Sequence, residues 1–198
     1  MNTKILLEHL YLVLMSVVLS IAVGLPLGIT AYLYKPFRRP LLRVTELLQT
    51  IPALALLGMV MLVIGAGKTT VIIGLLLYSL LPIVHNSYIG LAQIDPAIKR
   101  AARGMGMSKF DRLFAVELPL AFPLIFTGIR IATVTSVGIA VFATSVGGGG
   151  LGTLINQGIR TQNIQKILSG TLSLMAMAVI FDAVMAWIEK RLNKRKSA

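Results

Sequence analysis

The chain has 198 residues, 56% of them hydrophobic and 13% charged, with a mean hydropathy of +0.85 and a formal net charge of +12. A soluble domain is nearer 45–50% apolar and about 25% charged, so this composition excludes that class. Long, dense apolar runs exclude a disordered chain, and the absence of cysteine excludes a disulfide framework, a thiolate metal site and a cysteine nucleophile.

In chain order, a first apolar run covers about residues 10–33 and stops at the basic stretch Lys35, Arg38, Arg39 and Arg43. Others follow over about 47–64 and 71–91, then a polar segment from 93 to 117. A fourth run, about 118–146, ends at Gly147–Gly150, and a fifth covers about 172–188. A spanning helix needs roughly 20 apolar residues, so the expectation is an all-α, polytopic membrane protein with five spans in one domain over 1–198. No small-residue cleavage site follows a short apolar core, so the first run reads as a span and not as a signal peptide.

Charge sets the orientation. With an outer N-terminus, the inner segments 35–43, 93–117 and 189–198 hold fourteen of the nineteen basic residues, and the outer segments hold four. That bias predicts N-terminus out and C-terminus in. The basic tail (Lys190, Arg191, Lys194, Arg195, Lys196) is then a topology anchor at the membrane lipids and no nucleic-acid arm.

The inner segment 93–117 predicts two short helices. Asp95 caps the first with Pro96 at its opening position, and Gly104 and Gly106 stop it. A second begins at Ser108 with Phe110, Leu113 and Phe114 on one face, and Pro119 marks the entry into the fourth span. Read from the residues alone, this is equally a bland amphipathic connector.

The segment resembles the "EAA" loop of binding-protein-dependent ABC importer permeases. That family pattern is Glu-Ala-Ala, three residues, Gly, nine residues, an aliphatic, any residue, Leu-Pro. Ala101, Ala102, Gly106, Val116, Leu118 and Pro119 fall in register, while Arg100 stands where the family has Glu. The stretches Gln49–Gly58 and Gly147–Gly152 resemble the branch that takes up glycine betaine, carnitine or choline. The resemblance implies a type I importer permease fold, with Arg100, Ala101, Ala102, Gly106, Phe110, Leu118 and Pro119 coupling the chain to an ABC ATPase. It also implies a second permease, as homo- or heterodimer, and an extracytoplasmic solute-binding protein. ATP and Mg would bind the partner ATPase, with no cofactor on this chain and no catalysis by it. Another small solute, or a passive channel, are the alternatives.

Gly65-Ala66-Gly67-Lys68-Thr69-Thr70 is no P-loop, because the first glycine that motif needs falls on Leu62. Ser16, Ser20, Gly24 and Gly28 in the first span, and Gly128, Ala132, Ser136, Ala140 and Thr144 in the fourth, form stripes at spacing four that suit close helix packing. The fourth-span stripe alternatively lines the solute pathway through Thr133, Ser136 and Thr144. Gly148 and Gly149 are gate candidates in a glycine run that reads as an outer hinge or a plain breaker. Pro26, Pro52 and Pro82 can kink their helices. Arg130 and Asp182 are expected to pair within the membrane, between the fourth and fifth spans, with an Arg130 that faces the inner vestibule as the alternative. His85 and Asn86 read as helix-to-helix hydrogen-bonding groups, and His9 and His85 lack nearby carboxylates in sequence, so no metal site is expected.

Overall fold

The computed structural model describes residues 3–194, with side chains up to Arg191; Arg195 and Lys196 of the basic tail lie outside the described residues. The helices are α1 (Thr3–Leu33), α2 (Lys35–Thr50), α3 (Ala53–Ile64), α4 (Lys68–Ala92), α5 (Pro96–Gly104), α6 (Lys109–Arg112), α7 (Leu118–Ile139), α8 (Leu151–Arg160) and α9 (Ile164–Lys194). A π-turn over Leu113–Glu117 leads into α7, and 3-10 turns over Ala140–Val146 continue it. α1 and α9 begin well ahead of the apolar runs that announced them, because helices extend past the lipid-facing stretch that hydropathy marks.

Four helical segments are long and apolar enough to cross a membrane among the described residues: Thr3–Leu33, Lys68–Ala92, Lys109–Val146 and Ile164–Arg191. The expected second span is different. Residues 47–64 are not one straight helix, because α2 and α3 meet at 104°. Pro52 disfavours the α conformation for the residue before it, and Ile51 is extended (φ −71°, ψ 128°). α3 has 12 residues, about 18 Å of helix against a hydrocarbon core of about 30 Å, so a fifth span exists only as the bent pair. α2 is amphipathic, with Lys35, Arg39 and Arg43 exposed at spacing four along one stripe.

α4 forms the middle of the bundle, between α1 and α7. A Cβ at Gly28 would come within 2.5 Å of Ser87 Cβ, and one at Gly128 within 2.5 Å of the Pro82 carbonyl oxygen. Both small-residue stripes therefore face α4, where the missing side chains let the backbones approach. One core gathers Leu12, Val13, Val71, Leu75, Val137 and Ala140 around this contact. A second, at the end that carries the 93–117 loop, joins Leu91, Ile94, Leu113, Ala121 and Ile125, with Leu25 and Tyr32 of α1 packed against it.

Polar groups inside the bundle find partners close by. Thr30, Asn86 and Thr127 each donate to the carbonyl of a proline four residues earlier, Pro26, Pro82 and Pro123, at 2.8, 2.7 and 3.0 Å. Arg130 meets Asp182 in a two-pronged pair, Nε–Oδ1 at 2.7 Å and Nη2–Oδ2 at 2.9 Å, tying α7 to α9. Glu189, one further turn pair along α9, joins at 3.2 Å from Nη1. A lone charge at the centre of a spanning helix costs roughly 2.5–3.5 kcal/mol on insertion scales, a cost that pairing offsets.

The α4–α7 contact yields a matched pair of substitutions. Gly128→Ala has no room and should destabilise the protein by about 1–3 kcal/mol. Gly138→Ala, where nothing lies within 4 Å, should be neutral or stabilising by up to about 1 kcal/mol. Thermal unfolding in detergent, read by tryptophan fluorescence, checks both, and equal midpoints would contradict the packing.

Candidate functional site

The loop end is built by local rules. The Asp95 carboxylate accepts from the Ala97 N–H at 2.7 Å, and Pro96 fills the first turn of α5, where no donor is needed. Gly106 then takes a left-handed turn, φ +81°. The N–H of Met107 reaches back to the Ala102 carbonyl at 3.2 Å and that of Gly106 to Arg103 at 3.0 Å, which closes α5 in a Schellman motif. Ser108 and Asp111 cap α6 reciprocally.

One face of this loop is tied to the spans. In the π-turn the Leu118 N–H donates to the Leu113 carbonyl, five residues back. The wider turn places Arg112 and Glu117 on one side, 2.7 Å apart, with the carboxylate almost fully buried. Tyr32 of α1 neighbours that carboxylate. Lys99 donates to the Leu91 carbonyl of α4 at 2.8 Å and lies 4.9 Å over the Tyr32 ring. Burial pushes the Lys99 amine below its usual value, with Glu117 opposing and Arg112 reinforcing the shift. Arg38 donates to the Ala31 carbonyl at 3.2 Å and covers the Tyr88 ring.

The other face is bare. Ala102 points inward, 2% exposed, whereas Arg100, Ala101 and Gly106 are exposed. Met105, Phe110 and Phe114 are 72, 70 and 63% exposed. Leu118 is half-buried and Pro119 exposed. A surface of large apolar side chains flanked by Arg100 and Arg103 is suited to a partner's groove.

At the far end of α7 the glycine run forms a clamped turn. Gly147, Gly149 and Gly150 have φ of +76°, +80° and +81°. Gly148 donates to the Ala143 carbonyl at 2.7 Å, and Gly67 donates to Val146 at 2.8 Å. Any side chain at Gly148 would strike Val71. His9, fully buried on α1, accepts from the Leu151 N–H at Nδ1 (3.3 Å), and its Nε2 donates to the Val137 carbonyl (3.1 Å). Lys68 pairs with Glu8 at 3.2 Å, so the amine of the P-loop-like stretch is already engaged.

The pathway candidates separate. Thr133 and Ser136 are 2% and 1% exposed, one hydroxyl donating to the Ile129 carbonyl and the other bonded to Ser79 at 2.9 Å. Within this chain those two hydroxyls belong to helix packing, and only Thr144 stays half-exposed, 3.3 Å from Thr153. Asn86 is spent within its own helix. No group of three or more His, Asp or Glu side chains capable of holding a metal occurs among the described residues. Sequence reasoning missed Lys99, the Arg112–Glu117 pair, Glu189 and the bridging role of His9. Spacing five is no α-helical signal, Lys99 gains its role from the fold-back of α5 onto α4 and from Tyr32 of α1, and Glu189 and His9 gain theirs from helices distant in sequence.

Residues 13–194 match the family described as binding-protein-dependent transport system inner membrane component. A glycine betaine/carnitine/choline transport system permease protein, OpuCD of Bacillus subtilis (strain 168), is 44% identical over 96% of this chain and 83% of its own length. The osmoprotectant import permease protein OsmW of Salmonella typhimurium is 38% identical over 94% of this chain and 87% of its own length. The inward-facing MetNI methionine ABC transporter superposes with a TM-score of 0.86 at 21% identity, over 96% of this chain and 95% of that one, which speaks for the fold. An amino acid ABC transporter superposes at 0.81, with 18% identity over 96% and 92%. By the family match over most of its length, this chain is a member of the inner membrane components of binding-protein-dependent transport systems, a multi-pass membrane protein.

Proposed function

We propose that this chain is the permease subunit of an ATP-driven importer of small quaternary amines such as glycine betaine, carnitine or choline. The observation that carries this reading is its 44% identity, over 96% of the chain, to a permease named for those three solutes. The loop end faces the cytoplasm, in line with the excess of basic residues there. ATP and Mg bind the partner ATPase and not this chain. A second permease completes the path, and an extracytoplasmic binding protein delivers the solute.

In this mechanism the bare face made by Arg100, Ala101, Met105 and Phe110 seats in the ATPase. When ATP closes the ATPase pair, the two loops are drawn together. Lys99, bonded to α4 and lying over Tyr32 of α1, and the Arg112–Glu117 pair, which stiffens the turn into α7, carry a displacement of the loop into a tilt of those helices. Outward opening then parts the region around Gly148 and Gly149, and hydrolysis resets the inward state. The cycle needs two discrete states of different ATP affinity.

Affinity purification from the native host should recover a P-loop ATPase and an extracytoplasmic binding protein, and the reconstituted assembly should take up labelled betaine or choline. Recovery of neither partner, under conditions that keep a control importer intact, would overturn the importer reading. Uptake of a different solute would correct the solute alone.

Phe110→Asp should weaken ATPase association by at least about tenfold, roughly 1.4 kcal/mol, with helix content by circular dichroism unchanged. Arg100→Ala should lower solute-stimulated ATP hydrolysis through loss of a carboxylate partner on the ATPase; unchanged coupling would remove that contact from the mechanism. Glu117→Gln removes the charge that faces the half-buried Arg112 and should destabilise the protein by about 1–3 kcal/mol, seen as a lower unfolding midpoint.

A further inference from the structure

The chain has seven acidic residues. Six have a bonding partner within it: Glu8 with Lys68, Asp95 with the Ala97 N–H, Asp111 with Ser108, Glu117 with Arg112, and Asp182 and Glu189 with Arg130. Glu46, on α2, has no hydrogen-bond or ion-pair partner among the described residues. It lines a pocket of about 360 Å³ between α2, α4 and α7, together with Gln49, His85 and Asn86, walled by Leu81 and Ile131.

A second observation comes from the imidazole. His85 Nδ1 is buried and has no hydrogen-bond partner, in a protein whose other buried polar groups are almost all satisfied. Asn86 donates one amide N–H to the Pro82 carbonyl and makes no bond to His85. A carboxylate, an amide and an imidazole therefore surround a cavity without using one another. His85 lies 17 residues into α4, about 25 Å from its start, which puts the pocket in the part of the bundle nearest the loop end.

We propose that Glu46, Gln49 and His85 form a low-affinity solute subsite on the cytoplasmic half of the transport path. This subsite rests on the quaternary-amine reading above. A quaternary ammonium has no N–H to donate, so it is held by countercharge or by an aromatic face. The pocket lining contains no aromatic ring other than the imidazole, and the unpaired Glu46 carboxylate supplies the countercharge. The Gln49 amide takes the carboxylate of a betaine, or weakly the hydroxyl of choline, with the His85 ring as part of the wall. Such a subsite would hold a solute after release from the binding protein without trapping it.

The test uses the purified permease–ATPase complex without its binding protein, titrated with radiolabelled glycine betaine and choline. Glu46→Gln, an isosteric change at an exposed position, should weaken both by at least about tenfold. Gln49→Leu should weaken betaine several-fold and leave choline nearly unchanged, and Glu46→Asp should retain binding. Unchanged affinities in Glu46→Gln, or no binding to the wild-type complex, would overturn the subsite. Uptake by the same wild-type complex with its binding protein added separates the two readings. Betaine uptake alongside a failed titration removes the subsite and leaves the importer. Absence of both betaine and choline uptake overturns the solute reading and the ligand assigned to the pocket with it.

Discussion

The close approach of α4 to α1 and α7 is the contact on which everything else hangs. Lipid offers no hydrophobic drive for helices to associate, so shape and dispersion must hold them, and those forces fade within an ångström of lost contact. Gly24 and Gly28 on α1, and Gly128 on α7, leave no space for a methyl group toward α4. The hydroxyls in this region are satisfied within the same tight geometry: Ser20 donates to the Ser16 carbonyl at 2.6 Å, and Ser79 meets Ser136 at 2.9 Å. With no water to complete them, looser packing would leave those groups exposed to hydrocarbon. Both specialised ends of the molecule, the 93–117 loop and the glycine turn, are carried by these three helices.

The legible part of this chain is the part that local chemistry dictates. Apolar runs located four of the crossing segments because composition at that scale depends little on tertiary context. The cap at Asp95, the stop at Gly106 and the start at Ser108 all read directly from residue types, since each satisfies backbone groups within a few residues. The break at Ile51–Pro52 was harder to see. A proline in an apolar run is equally a kink or an end, and what decides here is that α2 carries Lys35, Arg38, Arg39, Arg43 and Glu46 while α3 carries no charge. That contrast of composition across the proline was the available signal.

What could not be read is what depends on a neighbour. The small-residue stripes announced close packing, but their shared partner, α4, appears only once the helices are assembled. The Arg130–Asp182 pair was inferable because two charges in hydrocarbon need each other, whereas Glu189 sits in a charged stretch that runs out into the basic tail. Arg112 and Glu117 face each other only because the turn between them has π geometry. His9 looked like an isolated histidine, and its two bonds go to residues 128 and 142 positions away.

The distribution of polar bonds around the loop bears on how a pull at its surface would travel. If the loop slid over the bundle, it would break the Lys99 bond to Leu91 and part Glu117 from Tyr32 of α1. Leaving such half-buried polar groups without partners costs about 1–3 kcal/mol each, more than rearranging an exposed side chain. A tug on the apolar outer face is thus resisted at the anchor and passed to α1, α4 and α7 as a unit. The glycine-distance contacts resist internal shear for the same reason that a packed core is not continuously deformable. Compliance is left to the places where regular helix bonding is already interrupted: the Ile51–Pro52 break, the 3-10 turns over Ala140–Val146, and the left-handed glycines that follow. The break lies beside the pocket that holds Glu46, and the glycines lie at the opposite end of α7. In the importer proposed above, joints at these two places would let one end of the helix group open while the other closes, as alternating access requires.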